Sequence, residues 1–244
     1  MKERVIIGGL FIFIIGIVGL LGIYLFDKGF VRFNYPSFSD FPVQGIDVSH
    51  HQHEIDWSRL NKKKVQFVFM KATEGGDFKD RQFSRNLENA RKQGIVVGAY
   101  HFFTFCRNGE EQARNYIETV PNDSSMLPPA IDLEYGGNCK LTKSKEELLS
   151  DITAFISILE EEYNKRVVIY VTREFYNDYI IDRFPDNPIW FRNVYYEPTL
   201  KRRQWVFWQF AHKGRLDGID THVDLNVFQG TKEDFDMFRR RTIE

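Results

Sequence analysis

Two kinds of hydrophobic pattern divide the chain. From Val5 to Phe26 it reads VIIGGLFIFIIGIVGLLGIYLF without a charge, whereas from Pro42 onward short apolar runs alternate with stretches of helical period. The runs are Gly45 to Val48, Val65 to Met70, Ile95 to Phe103, Ala130 to Glu134, Val167 to Val171, Ile189 to Phe191, Trp205 to Phe210 and Val223 to Phe228. Short runs rich in β-branched and aromatic residues read as strands. Between the earlier ones, Phe83, Leu87 and Ala90 recur at helical spacing before Gly94, and Glu110 to Thr119 carries Ala113 and Ile117. Lys145 to Tyr163 carries Leu148, Ile152, Phe155, Ile156 and Leu159, with Ser144 and Glu147 forming a capping box at its start. Phe175, Tyr179 and Ile180 suggest a further helix, and no helical pattern follows residue 190. Strands alternating with helices predict an α/β fold with a parallel sheet, and eight strands predict closure into a TIM-like barrel. The barrel is expected to be regular in its first five units, with bare or loop-linked strands in the last three.

The uncharged N-terminal run has the twenty-odd residues needed to cross a bilayer as a helix. A secretory signal peptide is the competing reading. Its apolar region is usually shorter and ends in a small-residue cleavage site, whereas here Tyr24, Leu25, Phe26, Asp27 and Lys28 follow. The expected layout is a short cytoplasmic N-terminus at 1–4, a transmembrane helix at 5–26, a tether at 27–41 and a barrel domain at 42–244. Lys2 and Arg4 precede the span while Lys28 and Arg32 follow it, so the positive-inside rule favours a cytoplasmic N-terminus by a small margin. The chain is then a single-pass membrane protein with its large domain extracytoplasmic.

Composition narrows the function. With 33 basic against 34 acidic side chains, the chain lacks the basic surplus of a nucleic-acid binder. Aromatic residues make up 16%. Beyond the needs of a core, Tyr and Trp suit a sugar-binding cleft because each offers an apolar face and a polar tip. The two cysteines, Cys106 and Cys139, fall a few residues past strand ends. In an oxidising compartment they could brace two neighbouring loops as a disulfide; two free thiols is the other reading.

The candidate chemistry lies in Asp132 and Glu134, one residue apart at the end of an apolar run. Alternation along a strand points both carboxyl groups the same way, and two acids that close raise at least one pKa, which suits general acid/base work. Barrel enzymes place their chemistry at the C-terminal strand ends. The polar residues there are Asp47, Lys71, Glu74, Tyr100, His101, Asp132, Glu134, Tyr170, Trp190, Trp208, Gln209 and Asp224. His50, His51 and His53 beside Glu54 invite a metal, but so local a run lacks the geometry of a known ligand set, and no metal is expected. The runs Lys62 to Lys64 and Arg239 to Arg241 read as solvated faces.

Taken in order, GIDVSHHQ at 45–52, FVFMKATEG at 67–75, GAYHFF at 98–103, PAIDLE at 129–134, VVIYVT at 167–172, WVFWQF at 205–210 and VDLNVF at 223–228 resemble the glycoside hydrolase family 25 lysozymes. These are the Chalaropsis-type muramidases, and the resemblance spans nearly all of Pro42 to Gly230. It implies an irregular (β/α)5(β)3 barrel that cleaves the β-1,4 bond between N-acetylmuramic acid and N-acetylglucosamine in peptidoglycan glycan strands. It implies no cofactor, and a monomeric catalytic domain is expected. Glu134 matches the family's general acid, Asp132 the second acid of its DxE motif, and Asp47 and Asp224 two further acids lining the site. The resemblance favours net retention. Asp132 is read as orienting the substrate's N-acetyl group, which attacks the anomeric carbon, with a carboxylate nucleophile as the alternative. Glu74, Tyr100, His101, Tyr170, Trp190, Trp208 and Gln209 are expected substrate contacts. After Trp190 the chain departs from the family's Ile-Ala-x-Tyr with Phe191-Arg192-Asn193-Val194-Tyr195, a change expected to reshape a subsite. A silent glycan-binding module and a hydrolase of another N-acetylated glycan are the remaining functional alternatives.

Overall fold

The computed structural model describes residues 2–31 and 35–243; residues 32–34 of the expected tether, Arg32 among them, lie outside the described residues. Helix α1 (Lys2–Asp27) stands apart from the rest of the molecule. Its stretch Ile7–Phe26 has a mean hydropathy of 2.6 and none of it is buried, so it is long and apolar enough to cross a membrane.

The remaining residues build a closed barrel from eight strands. These are β1 (Gln44–Val48), β2 (Phe67–Glu74), β4 (Val96–Phe102), β5 (Ala130–Leu133), β6 (Val168–Val171), β7 (Ile189–Arg192), β8 (Phe207–Gly214) and β9 (Val223–Phe228), while β3 (Phe78–Lys79) is a short hairpin partner on β2. Neighbours are parallel from β1 through β2, β4, β5, β6 and β7 to β8. Strand β9 closes the ring antiparallel to both β8 and β1. Helices α2 (Phe83–Lys92), α3 (Gly109–Thr119), α4 (Lys145–Tyr163) and α5 (Arg173–Phe175), the last continuing as a π turn over Tyr176–Ile180, link successive strands from β2 to β7.

Three expectations need correction. The first crossover, β1 to β2, is not a regular unit. It holds two 3-10 turns, His50–Gln52 and Trp57–Arg59, because its apolar residues, Ile55, Trp57 and Leu60, are too few to give a helix a buried face. Helices do not end at residue 190 either, since α6 (Lys232–Arg240) follows the last strand. Thr231 and Asp234 cap it as a reciprocal box, and it closes the bottom of the barrel by setting Phe235 and Phe238 against Phe228 and Phe207. Lastly, the sheet is not wholly parallel, because β9 is reversed.

Side-chain alternation sorts the barrel into two packed layers. Phe67, Phe69, Val168, Trp190, Phe207 and Phe228 fill the interior, with Phe69 stacked on Trp190 at 4.7 Å between ring centres. Gly98 is required there: a Cβ would come within 2.7 Å of the Phe69 ring. On the outer face Ile46, Val68, Met70, Ile131, Leu133, Ile169 and Val171 pack among the buried faces of the helices, including Leu148, Ile152, Phe155 and Leu159 of α4.

The described residues between α1 and β1 touch this wall at several points. Gly29 approaches the Lys213 carbonyl so closely that a Cβ would reach 2.1 Å from it, and the Arg215 guanidinium covers the Phe30 ring at 4.6 Å. Tyr35 meets Phe210 edge-on at 5.4 Å, and Gln44 Nε2 donates to the Pro36 carbonyl at 3.4 Å. Residues 29–30 thus lie near the end of β8, while Tyr35 and Pro36 lie against β8 and the start of β1.

Candidate active site

A cavity of about 580 Å³ opens at the end of the barrel where the parallel strands finish. Asp47, Glu74, Tyr100, Asp132, Glu134, Tyr170, Trp190, Gln209 and Asp224, all expected site residues, line it together. Asp224 reaches this mouth because β9 runs backwards, so its first residues, not its last, lie here. It sits in register opposite Asp47.

Asp47 is the focus of a hydrogen-bond network. Its Oδ2 accepts from Asn226 Nδ2 at 2.7 Å and from Gln209 Nε2 at 2.9 Å. Behind these, Trp190 Nε1 donates to Asn226 Oδ1 at 2.8 Å, and the Tyr170 hydroxyl donates to Gln209 Oε1 at 3.0 Å. Every donor is thus oriented by a second residue, and two amide N–H groups favour an ionised Asp47. Burial raises the Asp47 pKa above its ordinary value against the pull of these bonds, whereas burial and the charge of Asp47 lift Asp224 further, well above the ordinary carboxylate range. Of the facing pair, Asp224 is pushed further toward its protonated form.

Asp132 and Glu134 differ in surroundings although they share a face. Asp132 is 8% exposed, and its Oδ1 is buried without a hydrogen-bond partner. Burial, followed by the charge of Glu134, pushes its pKa well up. Glu134 stands one residue past β5 and is partly exposed. Burial raises it too, but the Arg192 guanidinium draws it back. The loop it starts is held twice. Asn138 Nδ2 donates to the carbonyls of Glu134 (3.1 Å) and Phe103 (2.9 Å), and a disulfide joins Cys106 to Cys139 with their Cα atoms 6.2 Å apart.

Two expected contacts lie elsewhere. His101 is fully buried on the outer face of β4, its Nδ1 2.7 Å from the Thr73 hydroxyl and its Nε2 3.0 Å from Gln112 Oε1. Burial lowers its pKa to about 3, so it is a neutral core residue. Trp208 likewise faces outward, packing on Trp205 and Phe210 and donating Nε1 to the Asn193 carbonyl at 2.7 Å. Alternation is the physical reason: Tyr100 with His101, and Trp208 with Gln209, are strand neighbours, and one of each pair must point away.

The cavity also contains residues that were not foreseen as contacts, among them Arg192, His51, Gln52 and His212, together with Lys71. Lys71 Nζ is 2.6 Å from Glu74 Oε2 and lies over the Phe102 ring at 4.8 Å. Arg192 follows Trp190 by two positions and Asn226 follows Asp224 by two. The same alternation that excludes His101 brings both of these inward.

Known proteins share this architecture. The sequence profile described as Glycosyl hydrolases family 25 matches residues 46–219. The uncharacterized protein YegX of Escherichia coli O157:H7 is 35% identical over 206 residues, covering 82% of this chain and 74% of that protein. Lysozyme M1 of Streptomyces globisporus is 33% identical over 202 residues, covering 78% and 68%. Among solved structures, a family 25 glycosyl hydrolase from Bacillus anthracis matches with a TM-score of 0.79 at 39% identity, covering 85% of this chain and 98% of that one. A barrel of this order with acids gathered at its mouth, matched in sequence and in shape across most of its length, places the chain in glycosyl hydrolase family 25, as an enzyme of the glycosidase class.

Proposed function

We propose that the protein is a muramidase that hydrolyses the β-1,4 bond between N-acetylmuramic acid and N-acetylglucosamine in peptidoglycan, with Glu134 as general acid and base. Family membership supports the reaction class, and the names of relatives such as the autolytic lysozyme of Clostridium acetobutylicum, 25% identical over 186 residues, support the substrate. The observation that carries the assignment of roles is the contrast between the two neighbouring acids. Glu134 is partly exposed and beside a cation, placed to exchange protons with substrate and water. Asp132 is buried and neutral-leaning, with one oxygen left for a ligand.

In this reading Asp132 holds the N–H of the substrate's acetamido group. The acetamido oxygen then attacks the anomeric carbon as Glu134 protonates the departing glycosidic oxygen. Water, deprotonated by the same Glu134, opens the resulting oxazolinium ring, and the product retains its configuration. A direct nucleophile has to be ionised, and the surroundings of Asp132 oppose that. Asp47, whose fixed amide donors favour its ionised form, offers negative charge to the oxocarbenium-like transition state.

The domain plan proposed alongside is a cytoplasmic stub at 1–4, a membrane span at 5–26, a connector at 27–41 and the catalytic barrel at 42–244 on the extracytoplasmic side. The apolar length of α1 and a disulfide suited to an oxidising compartment support it.

The test is product analysis. Full-length chain in detergent, incubated with purified peptidoglycan, should release fragments with muramic-acid reducing ends, identified by mass spectrometry. Glu134→Gln should lower kcat by about 10²–10⁴-fold, the usual weight of a general acid, and Asp132→Asn should be comparably impaired. Binding without product would assign a silent glycan-binding module, and activity surviving in Glu134→Gln would remove that residue from its role.

A further inference from the structure

Two cations line the cavity, and they are not equivalent. Lys71 is engaged by Glu74 at 2.6 Å and by the Phe102 ring. Arg192, at the end of β7 and in register beside Gln209, is partly buried in the same cavity. Among the described residues its guanidinium makes no hydrogen bond, and no carboxylate oxygen comes within 4.0 Å of it. A guanidinium stays charged and carries five N–H donors in a rigid fork that suits a carboxylate. Partly withdrawn from water and unpaired, those donors are available to a ligand. Arg192 shares its cavity with Glu134, so the group it meets is sought on the sugars flanking the cleaved bond.

The two sugars of the glycan carry hydroxyl and acetamido groups, which are neutral. Their one acid is the lactyl ether on O3 of muramic acid. It is amidated, and so uncharged, wherever a stem peptide is attached, and it is a free carboxylate where the peptide has been removed. We propose that Arg192 is a specificity residue that receives this free lactyl carboxylate, so that the enzyme prefers peptide-free glycan over peptide-bearing strands. The proposal rests on the muramidase reading for the identity of the glycan. It implies that an amide-cleaving reaction, which strips the stem peptide, supplies the preferred substrate.

The test compares stem-peptide-free glycan oligomers with the same oligomers after methyl esterification of the lactyl carboxylate, a near-isosteric change that removes the charge. Both are offered to the full-length chain in detergent, for turnover, and to its Glu134→Gln variant, for binding. The acid should be favoured about ten- to a hundredfold, through KM and through Kd, as a charge-assisted bond predicts. Arg192→Ala should erase that preference, so that acid and ester share one KM and one Kd whatever common change in kcat the lost charge near Glu134 brings to both, and Arg192→Lys should restore part of it. If Arg192 served only to balance the acids of the site, its loss would change acid and ester in proportion and leave the preference standing, and that outcome overturns the proposal. Equal use of acid and ester by the parent overturns it while leaving the muramidase reading intact. Preference in binding without turnover supports Arg192 recognition while refuting hydrolysis, and binding of neither oligomer refutes both.

Discussion

Burial and the neighbouring Glu134 both push the Asp132 carboxyl above its ordinary range, so the folded protein binds a proton there that the unfolded chain releases. The sign follows directly. The stability associated with this group is fully present below the ordinary value of 3.8 and is lost as pH rises through the raised folded value. Asp132→Asn keeps the shape without the charge, so its Tm should exceed that of the parent at pH 7 to 8, and the gap should close toward pH 4. Each kcal/mol relieved is worth about 2–4 °C in a domain of this size. Calorimetry across that range checks the prediction; a variant less stable at neutral pH would show that Asp132 is ionised and well paired. Residues at this scale were legible in the sequence as far as their chemistry goes, because strand-end acids are rare enough to notice. Which of two adjacent polar residues faces the cavity was legible only through strict alternation. His101 was legible as strand-end polarity but not as a core residue, since its partners Thr73 and Gln112 lie 28 and 11 positions away.

At the scale of elements, what positions Glu134 is not a strand but the loop that begins with it. That loop is tied to the one after β4 by Asn138 and by the Cys106–Cys139 bridge, which spans a sequence separation of 33. Closing a loop of that length restricts the unfolded chain by about 3–4 kcal/mol on the chain-entropy account. Replacing both cysteines by alanine should therefore lower Tm by several degrees, and kcat should fall more than KM rises, because Glu134 loses its fixed approach. Steady-state kinetics beside thermal melts would read both; an unchanged kcat would mean that Asn138 alone suffices. The α4 helix was plain in the sequence from its capping box and five apolar positions, and it forms as expected. The α6 helix was not, since only Phe235 and Phe238 mark its inner face among charged neighbours. The reversal of β9 was hidden because an alternating run reads the same in either direction. Its signal lay in the connection, since residues 215–222 are fewer than the dozen or so that a parallel crossover needs.

At the scale of the molecule, the proposed membrane span predicts that the full-length chain stays with the bilayer after carbonate extraction, and that protease added outside intact cells reaches the barrel. Release by carbonate would reduce α1 to a peripheral or cleaved segment. The path of the chain after α1 bears on what such a protein could reach. Gly29 and Phe30 settle against Lys213 and Arg215, at the end of β8 where His212 lines the cavity, and Tyr35 meets Phe210 farther back along the same strand. A helix crossing the bilayer would then deliver the barrel with its open end nearest the lipid, a few residues from the end of α1. The fold would thereby set a working depth: the enzyme would trim a thin slab of wall just above the membrane, and glycan farther out would be safe from it by distance alone.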